Sequence, residues 1–300
     1  MNRLYSLLFL LWVVPPLING CFEPGNSTAP NYGINQKKRV VALMPSLAEL
    51  TEKLLSDSQE WKLVGYPTST SLVARENQEL ALIGPYHKLN IEKIVSLRPD
   101  LVLASRSGNL EDQILQLRHH GMRVEVFDFE RIGQVIKSIR LVADLLGEGQ
   151  VGATLARSVE KGISEIKIRA ATRGKKGVSK TRLVIQLGMD PLIVAGGESY
   201  LTEICDLVYA ENIFSGVREK YPRVSVEQLL AANPDMILIV DFDGSSLNIR
   251  EITDKWKRFS RLTAVNRHQI LPFRSDSLFR PSHKIMDGIE QLERTVHSAP

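Results

Sequence analysis

The sequence predicts an α/β protein of two lobes, each with a mostly parallel central sheet flanked by helices, joined by a long interlobe α-helix. Three observations carry this expectation. Strand-length apolar runs alternate with helical periodicity up to about residue 130, strand character then disappears for about 40 residues, and a segment running Asn90 to Ala104 is written again from Ser225 to Ile239.

The chain begins with Arg3, an apolar stretch from Leu4 to Ile18, and small residues before Cys21, the three parts of a secretory signal over residues 1–20. The stretch is short for a bilayer span and is broken by Pro15 and Pro16, and no later segment reaches the roughly 18 apolar residues a span requires. The mature chain is therefore expected to have no transmembrane helix. The ending Ile18-Asn19-Gly20-Cys21 resembles a bacterial lipobox, which implies lipidation of Cys21 and a periplasmic protein held on a bacterial membrane. Ile18 and Asn19 depart from the usual lipobox residues, so cleavage to a soluble form stays open as the alternative. Residues 21–38, rich in Pro, Gly and Asn, read as a tether.

The first lobe is expected over residues 39–130. Arg39 to Met44 is a continuous apolar run closed by Pro45-Ser46, and Ala48 to Leu55 reads as a helix, the pattern of a strand buried on both faces. Further strands are expected at Leu63–Tyr66, Leu101–Ala104 and Val124–Phe127, with a helix over Asn109–His120 stopped by Gly121. A helical spine is assigned to residues 131–172: two helices meet near Gly147-Glu148-Gly149, and the second, about 22 residues from Gln150 to Ala171, would measure about 33 Å at 1.5 Å per residue. The second lobe takes residues 173–300, opening with a basic loop from Arg173 to Arg182, continuing with a strand at Leu183–Leu187, and ending in a helix from Pro281 to His297.

The two copies of the repeat place Glu92 on Glu227, Pro99 on Pro234, Asp100 on Asp235 and Leu103 on Leu238. Each copy reads as a short helix, a Pro-Asp turn and an apolar strand. Ile91, Ile94 and Val95 in one copy, and Val226, Leu229 and Leu230 in the other, recur at i, i+3, i+4 and mark the inward face. Glu92 and Glu227 stand beside that face. A first-turn carboxylate offsets the helix dipole by a few tenths to about 1 kcal/mol, which alone accounts for either glutamate. Two at equivalent positions also suit docking onto basic pockets of a two-fold symmetric partner.

Other features are bland. The net charge of +4 is dispersed, and its densest run, Arg173–Arg182, has no interleaved aromatics, which argues against a nucleic-acid partner. Cys205 lies in an apolar context and reads as a buried small hydrophobe. The Gly196-Gly197-Glu198-Ser199 turn lacks a phosphate-binding spacing, and no catalytic constellation is present, so no enzyme is expected.

The chain resembles the periplasmic binding proteins with a rigid interlobe helix that deliver cobalamin, siderophores and haem to ABC importers, and within them the cobalamin binders. The resemblance runs from Arg39 to about Val296 and is carried by LVGY at Leu63, NIEKIVSLRPDLVLA, SGNLEDQILQLRHHGMRVEVFD, QLGMDPLIVAGGES, ENIFSGVREKYPRVSVEQLL and RSDSLFRPSHKI. It implies that Glu92 and Glu227 engage arginines of a dimeric permease, itself joined to ATPase subunits, and that a monomeric binding protein holds its ligand in the cleft between lobes. The cleft positions so implied are Tyr86, Tyr221 and the loop Asp276, Ser277, Leu278, Phe279 and Arg280. Ser69, Arg106 and Leu187 join them: Ser69 stands where a tyrosine is expected, Ser105 replaces a tryptophan next to Arg106, and Leu187 replaces a phenylalanine. A disulfide of the cobalamin binders is missing, since Cys205 matches one half and Glu293 the other.

The resemblance thus implies a large flat metal chelate, a cobalt corrinoid in the first place and an iron chelate (haem or a ferric siderophore) as the alternative, with no cofactor belonging to the protein itself. His87, following Tyr86, is a candidate axial ligand to a bound cobalt or iron, with a solvated surface histidine as the plainer reading. A binder of bare zinc or manganese is a further alternative, for which the sequence offers no second and third ligand.

Overall fold

The computed structural model describes residues 36–68, 80–241 and 249–298. The chain divides into two units, Met1–Gln36 and Lys37–Pro300, and every helix and strand among the described residues belongs to the second. Cys21 and Ser69 lie outside the described residues.

The first lobe contains β1 (Lys38–Ala42), α1 (Pro45–Leu54), β2 (Trp61–Tyr66), β3 (Ala81–Leu82), α2 (Ile91–Ser96), β4 (Leu101–Ser105), α3 (Glu111–His119) and β5 (Val124–Phe127). Its sheet is wholly parallel, in the order β3-β2-β1-β4-β5. Every residue of β4 is buried, as its unbroken apolar run requires of a strand covered on both faces. Helix α1 starts earlier than its apolar periodicity suggests because Pro45 and Ser46 form its first turn, where a fixed φ is preorganised and the missing N–H costs nothing. Asn109 is not part of α3. It is a buried linker between β4 and the helix.

Two helices follow, α4 (Ile132–Leu145) and α5 (Gly149–Lys175). Helix α5 has 27 residues, about 40 Å at the usual rise, and buries Gly152, Ala156, Val159, Ile163, Ile166 and Ala170 in one stripe of alternating three- and four-residue steps. A Cβ at Gly152 would stand 2.1 Å from the Ala143 Cβ, so only glycine lets α5 lie this close to α4. The predicted basic loop is shorter than expected. Helix α5 continues through Lys175, and Arg173 serves as an ion-pair partner on it.

The second lobe holds β6 (Thr181–Met189), β7 (Leu192–Val194), α6 (Tyr200–Leu207), β8 (Ala210–Asn212), α7 (Val226–Ala232), β9 (Met236–Val240), α8 (Ile249–Lys257), α9 (Thr263–Asn266), β10 (Ile270–Phe273), α10 (Asp276–Phe279) and α11 (Ile285–His297). Its sheet runs β10-β9-β6-β7 with β8 also paired to β6, and only the β6–β7 hairpin is antiparallel. One core cluster includes Val40 and Leu103 of the first sheet, Val159 and Ile166 of α5, and Leu238 and Val296 of the second lobe. The long helix therefore joins the lobes through a shared apolar core. Helix α11 is fixed to it by Glu293, whose carboxylate accepts from Arg169 at 2.6 and 3.0 Å and from Arg173 at 2.7 Å.

The repeat has a structural cause in most of its shared residues. Asp100 accepts from the Arg39 N–H at 2.7 Å, and its own N–H donates to the Arg39 carbonyl at 2.8 Å. Asp235 does the same to Arg182, at 3.0 and 2.8 Å. The two arginines reach back to the ends of the preceding helices, Arg39 to the Leu97 carbonyl and Arg182 to those of Ala232 and Asn233. Before each proline the chain turns through a left-handed residue, Arg98 with φ 45° and Asn233 with φ 46°. Leu103 and Leu238 are fully buried. The sequence repeat is thus a clasp that ties a short helix to the start of the neighbouring strand.

Candidate ligand-binding site and docking faces

In parallel sheets the loops leaving the carboxyl ends of the strands gather at one edge, where α/β proteins take ligands. In the first lobe these loops carry Tyr86 and His87 after β3, Arg106 after β4, and Glu130 after β5. Asn109 ties them together. Its side-chain amide donates to the Leu43 carbonyl at 3.2 Å and the Tyr86 carbonyl at 3.1 Å, while its oxygen accepts from the Ser105 N–H at 2.9 Å. Tyr86 is 37% exposed, and its ring meets that of His87 edge-on with centroids 5.2 Å apart. Arg106 is exposed, whereas Ser105 is buried.

In the second lobe, Tyr221 is 47% exposed and hydrogen-bonds to Ser199. Partial burial pushes its phenol up, and the Ser199 bond and the neighbouring Lys220 oppose that shift. Tyr200 stands nearby, its phenol well above the usual range through burial first and Tyr221 second. The Tyr200 hydroxyl donates to the Leu278 carbonyl at 2.7 Å, linking the Tyr221 region to α10. Within that segment Asp276 is exposed, Ser277 is half-buried beside Ser275, and Arg280 points toward Asp276 at 3.5 Å. Phe279 is half-buried against Phe273, ring centroids 6.2 Å apart.

One expected ligand contact changes. Leu278 is 0% exposed and packs into the core, so it offers a ligand no side-chain surface; an apolar residue in a short helical turn was drawn inward. Leu187, at the irregularity where β6 shifts register against β7, is half-buried as Phe279 is and keeps a side-chain surface for a ligand.

The Gly196-Gly197 turn has a steric explanation. A Cβ on Gly197 would lie 2.1 Å from the Ser215 carbonyl oxygen, and one on Gly196 2.2 Å from that of Glu219. The N–H groups of Gly196, Gly197 and Glu198 are taken by Lys220, Val217 and Glu219, which leaves none for an anion.

Three residues that sequence reasoning did not find complete this edge: Tyr200, Glu130 and Lys220. Glu130, just past β5, forms an ion pair with Lys220, the residue before Tyr221. This pair joins loops of the two lobes. Glu203 of α6 supplies a second junction by accepting from the Ile132 N–H at the start of α4, at 3.1 Å. Between α1 and the turn before α11, the buried Glu49 lies 3.6 Å from Lys284. No local pattern reports such contacts, because the Glu130–Lys220 partners are 90 residues apart.

The repeat glutamates are different. Glu92 is exposed on the first turn of α2, and Glu227 occupies the matching place on α7, where its own backbone N–H first and Ser225 second hold its carboxyl below the usual range. Among the described residues neither makes an ion pair, whereas Asp235 pairs with Arg267 and both Asp100 and Asp235 hold a strand start.

Among the described residues, no three His, Cys, Asp or Glu side chains converge as a bare metal ion would require. Nor is any helix among them long and apolar enough to cross a membrane. Cys205 is fully buried, and burial pushes its thiol up to about 12.

Residues 40–276 match the family described as periplasmic binding protein. The chain belongs to the periplasmic binding protein family. It is similar to the vitamin B12-binding protein of Salmonella typhi, 30% identical over 254 residues that cover 85% of this chain and 88% of the relative. It is also similar to the uncharacterised ABC transporter substrate-binding lipoprotein YvrC of Bacillus subtilis, 28% identical over 267 residues, covering 87% and 81% of the two chains. The fold matches that of S. aureus IsdE complexed with heme at a TM-score of 0.73 and 20% identity, covering 87% of this chain and 100% of the other. As a periplasmic binding protein the chain is an extracytoplasmic substrate-binding component of ABC transport, working with a permease and an ATPase, and at family level it is not an enzyme.

Proposed function

We propose that the protein captures a metal chelate, cobalamin or a related corrinoid, between its lobes and presents it to a dimeric ABC permease through Glu92 and Glu227. The observation that carries the ligand reading is the similarity to a vitamin B12-binding protein over 85% of the chain. The half-exposed rings of Tyr86 and Tyr221, one on each carboxyl-edge loop set, support it, because aromatic faces give a flat macrocycle broad contact at low entropic cost. Arg106, Asp276 and Arg280 are the polar groups that fix the amide edges of such a ligand, with Ser277 and Phe279 beside them.

Docking through the glutamates is supported by their exposure and by the lack of an ion pair at either among the described residues. The other shared residues of the repeat build the clasp, while these two carboxylates face solvent at equivalent places on the two lobes. Lipidation of Cys21 would hold the protein on the membrane that carries the permease. The B. subtilis lipoprotein relative supports that placement.

A haem or ferric siderophore is the second reading, favoured by the likeness of the fold to a haem-bound binding protein and by His87 beside Tyr86, where a neutral imidazole suits iron as well as cobalt. Two sets of variants test the assignment. Tyr86→Ala with Tyr221→Ala is expected to weaken chelate binding at least tenfold. Glu92→Ala with Glu227→Ala is expected to abolish transport with chelate affinity unchanged, and a fall in affinity in that variant would overturn the docking role.

A further inference from the structure

A depression of about 400 Å3 is lined by Leu230 of α7 and by Arg258, Phe259, Ser260, Arg261 and Leu262. It belongs neither to the carboxyl-edge loops nor to the repeat clasp. Leu230 follows Glu227 by three residues on α7, so the two side chains are neighbours on one helix face. The floor is apolar, formed by Leu230, Phe259 and Leu262. Its rim is cationic: Arg258 and Arg261 are exposed, and among the described residues neither side chain makes a hydrogen bond or a close ion pair, although Arg258 is near enough to Asp254 to help hold that carboxyl down. Three cations of the same region have their own close partners, Lys255 with Glu251, Lys257 with Asp254 and Arg267 with Asp235.

The first lobe has a related arrangement. The element that follows each copy of the repeat is α3 in one lobe and α8 in the other, and α3 packs against the Glu92 helix while ending in the exposed Arg118 and His119.

We infer that the second lobe docks through a bipolar face, on which Glu227 meets a cation of the permease and the Arg258–Arg261 depression receives a permease loop carrying a carboxylate next to an apolar side chain. This rests on the docking role of Glu92 and Glu227. Charge complementarity selects the occupant, because two exposed guanidinium groups over an apolar floor match a carboxylate flanked by a hydrophobe. A free inorganic anion would leave that floor uncovered. The opposed charges on one face also orient the partner, since a loop entering reversed would place like charges together.

The test is binding of the ligand-loaded protein to its cognate permease–ATPase complex in nanodiscs of zwitterionic lipid, read by surface plasmon resonance. Arg258→Glu with Arg261→Glu is expected to weaken docking about tenfold or more, and the milder Arg258→Ala with Arg261→Ala by about threefold, with chelate affinity unchanged in both. If these variants dock like the unaltered protein while Glu92→Ala with Glu227→Ala does not, the depression is not part of the interface although the glutamates are. If neither set weakens docking, the glutamate reading itself fails and this inference falls with it. Weakening that appears only when the nanodiscs contain anionic lipid would identify a headgroup as the occupant and overturn the permease loop.

Discussion

Glu130 and Lys220 form an ion pair that links the loop after the last strand of the first sheet to the loop carrying Tyr221 in the second lobe. Both side chains are partly open to solvent, at 31% and 42%, so the pair contributes at most about 1 kcal/mol to folding. Its effect should fall on the relation of the lobes. Glu130→Gln is expected to leave the melting temperature within about 2 °C and to speed chelate dissociation several-fold, measured by stopped-flow release into excess competitor.

The clasp of the repeat makes an opposite prediction. Asp100→Ala and Asp235→Ala each remove a carboxylate that holds a strand start, and each should cost about 1–2 kcal/mol in urea unfolding. The sites lie in different lobes, so the losses should add. Glu92→Ala and Glu227→Ala should stay within about 0.5 kcal/mol of the parent. A large destabilisation there would return both glutamates to a structural role.

Acid should unfold the protein in two stages. Burial, then Lys284 and Lys53, push the His283 imidazole down to about 4, and its ring Nδ1 is buried without a partner. A histidine depressed below its unfolded value of about 6.5 gives full stability above pH 6.5 and loses it as pH falls toward 4, because the unfolded chain gains the proton first. Burial pushes the Glu293 carboxyl up, but hydrogen bonds from Arg169 and Arg173 outweigh it and hold the group below its ordinary value. That stability is present above the unfolded carboxylate value and is lost as pH falls through the lower folded one. Melting temperatures from pH 7.5 to 3 check both stages, and His283→Phe should flatten the first while Glu293→Gln flattens the second.

Cys205 should resist alkylation. With its thiol at about 12 and no exposed surface, iodoacetamide at pH 8 is expected to leave it unmodified in the folded protein and to label it quickly in urea, as mass spectrometry would show.

The fold was legible where a single segment carries its own signal. The apolar runs of β4 and β9 are buried along their whole length, and the periodicity of α5 predicted a long helix that is longer still, since Thr172 to Lys175 continue it without a break. The repeat disclosed two lobes because its Pro-Asp turns do the same work twice. What stayed hidden depends on distant partners. Trp256 is fully buried and donates to Gln186 at 2.9 Å, yet nothing in the sequence around α8 announces that contact. Glu130 and Lys220 read as ordinary surface charges until the lobes are placed together. Leu278 shows the reverse error, for a position implied by resemblance to face the ligand is filled here by a side chain that the core takes up.

Isothermal titration of the protein with cyanocobalamin, with haem and ferric siderophores titrated in parallel, decides whether the ligand is a corrinoid. One-to-one binding of cyanocobalamin at micromolar affinity or tighter is expected, with weaker binding of the iron chelates. No heat with cyanocobalamin alongside tight binding of haem or a siderophore would contradict the corrinoid reading.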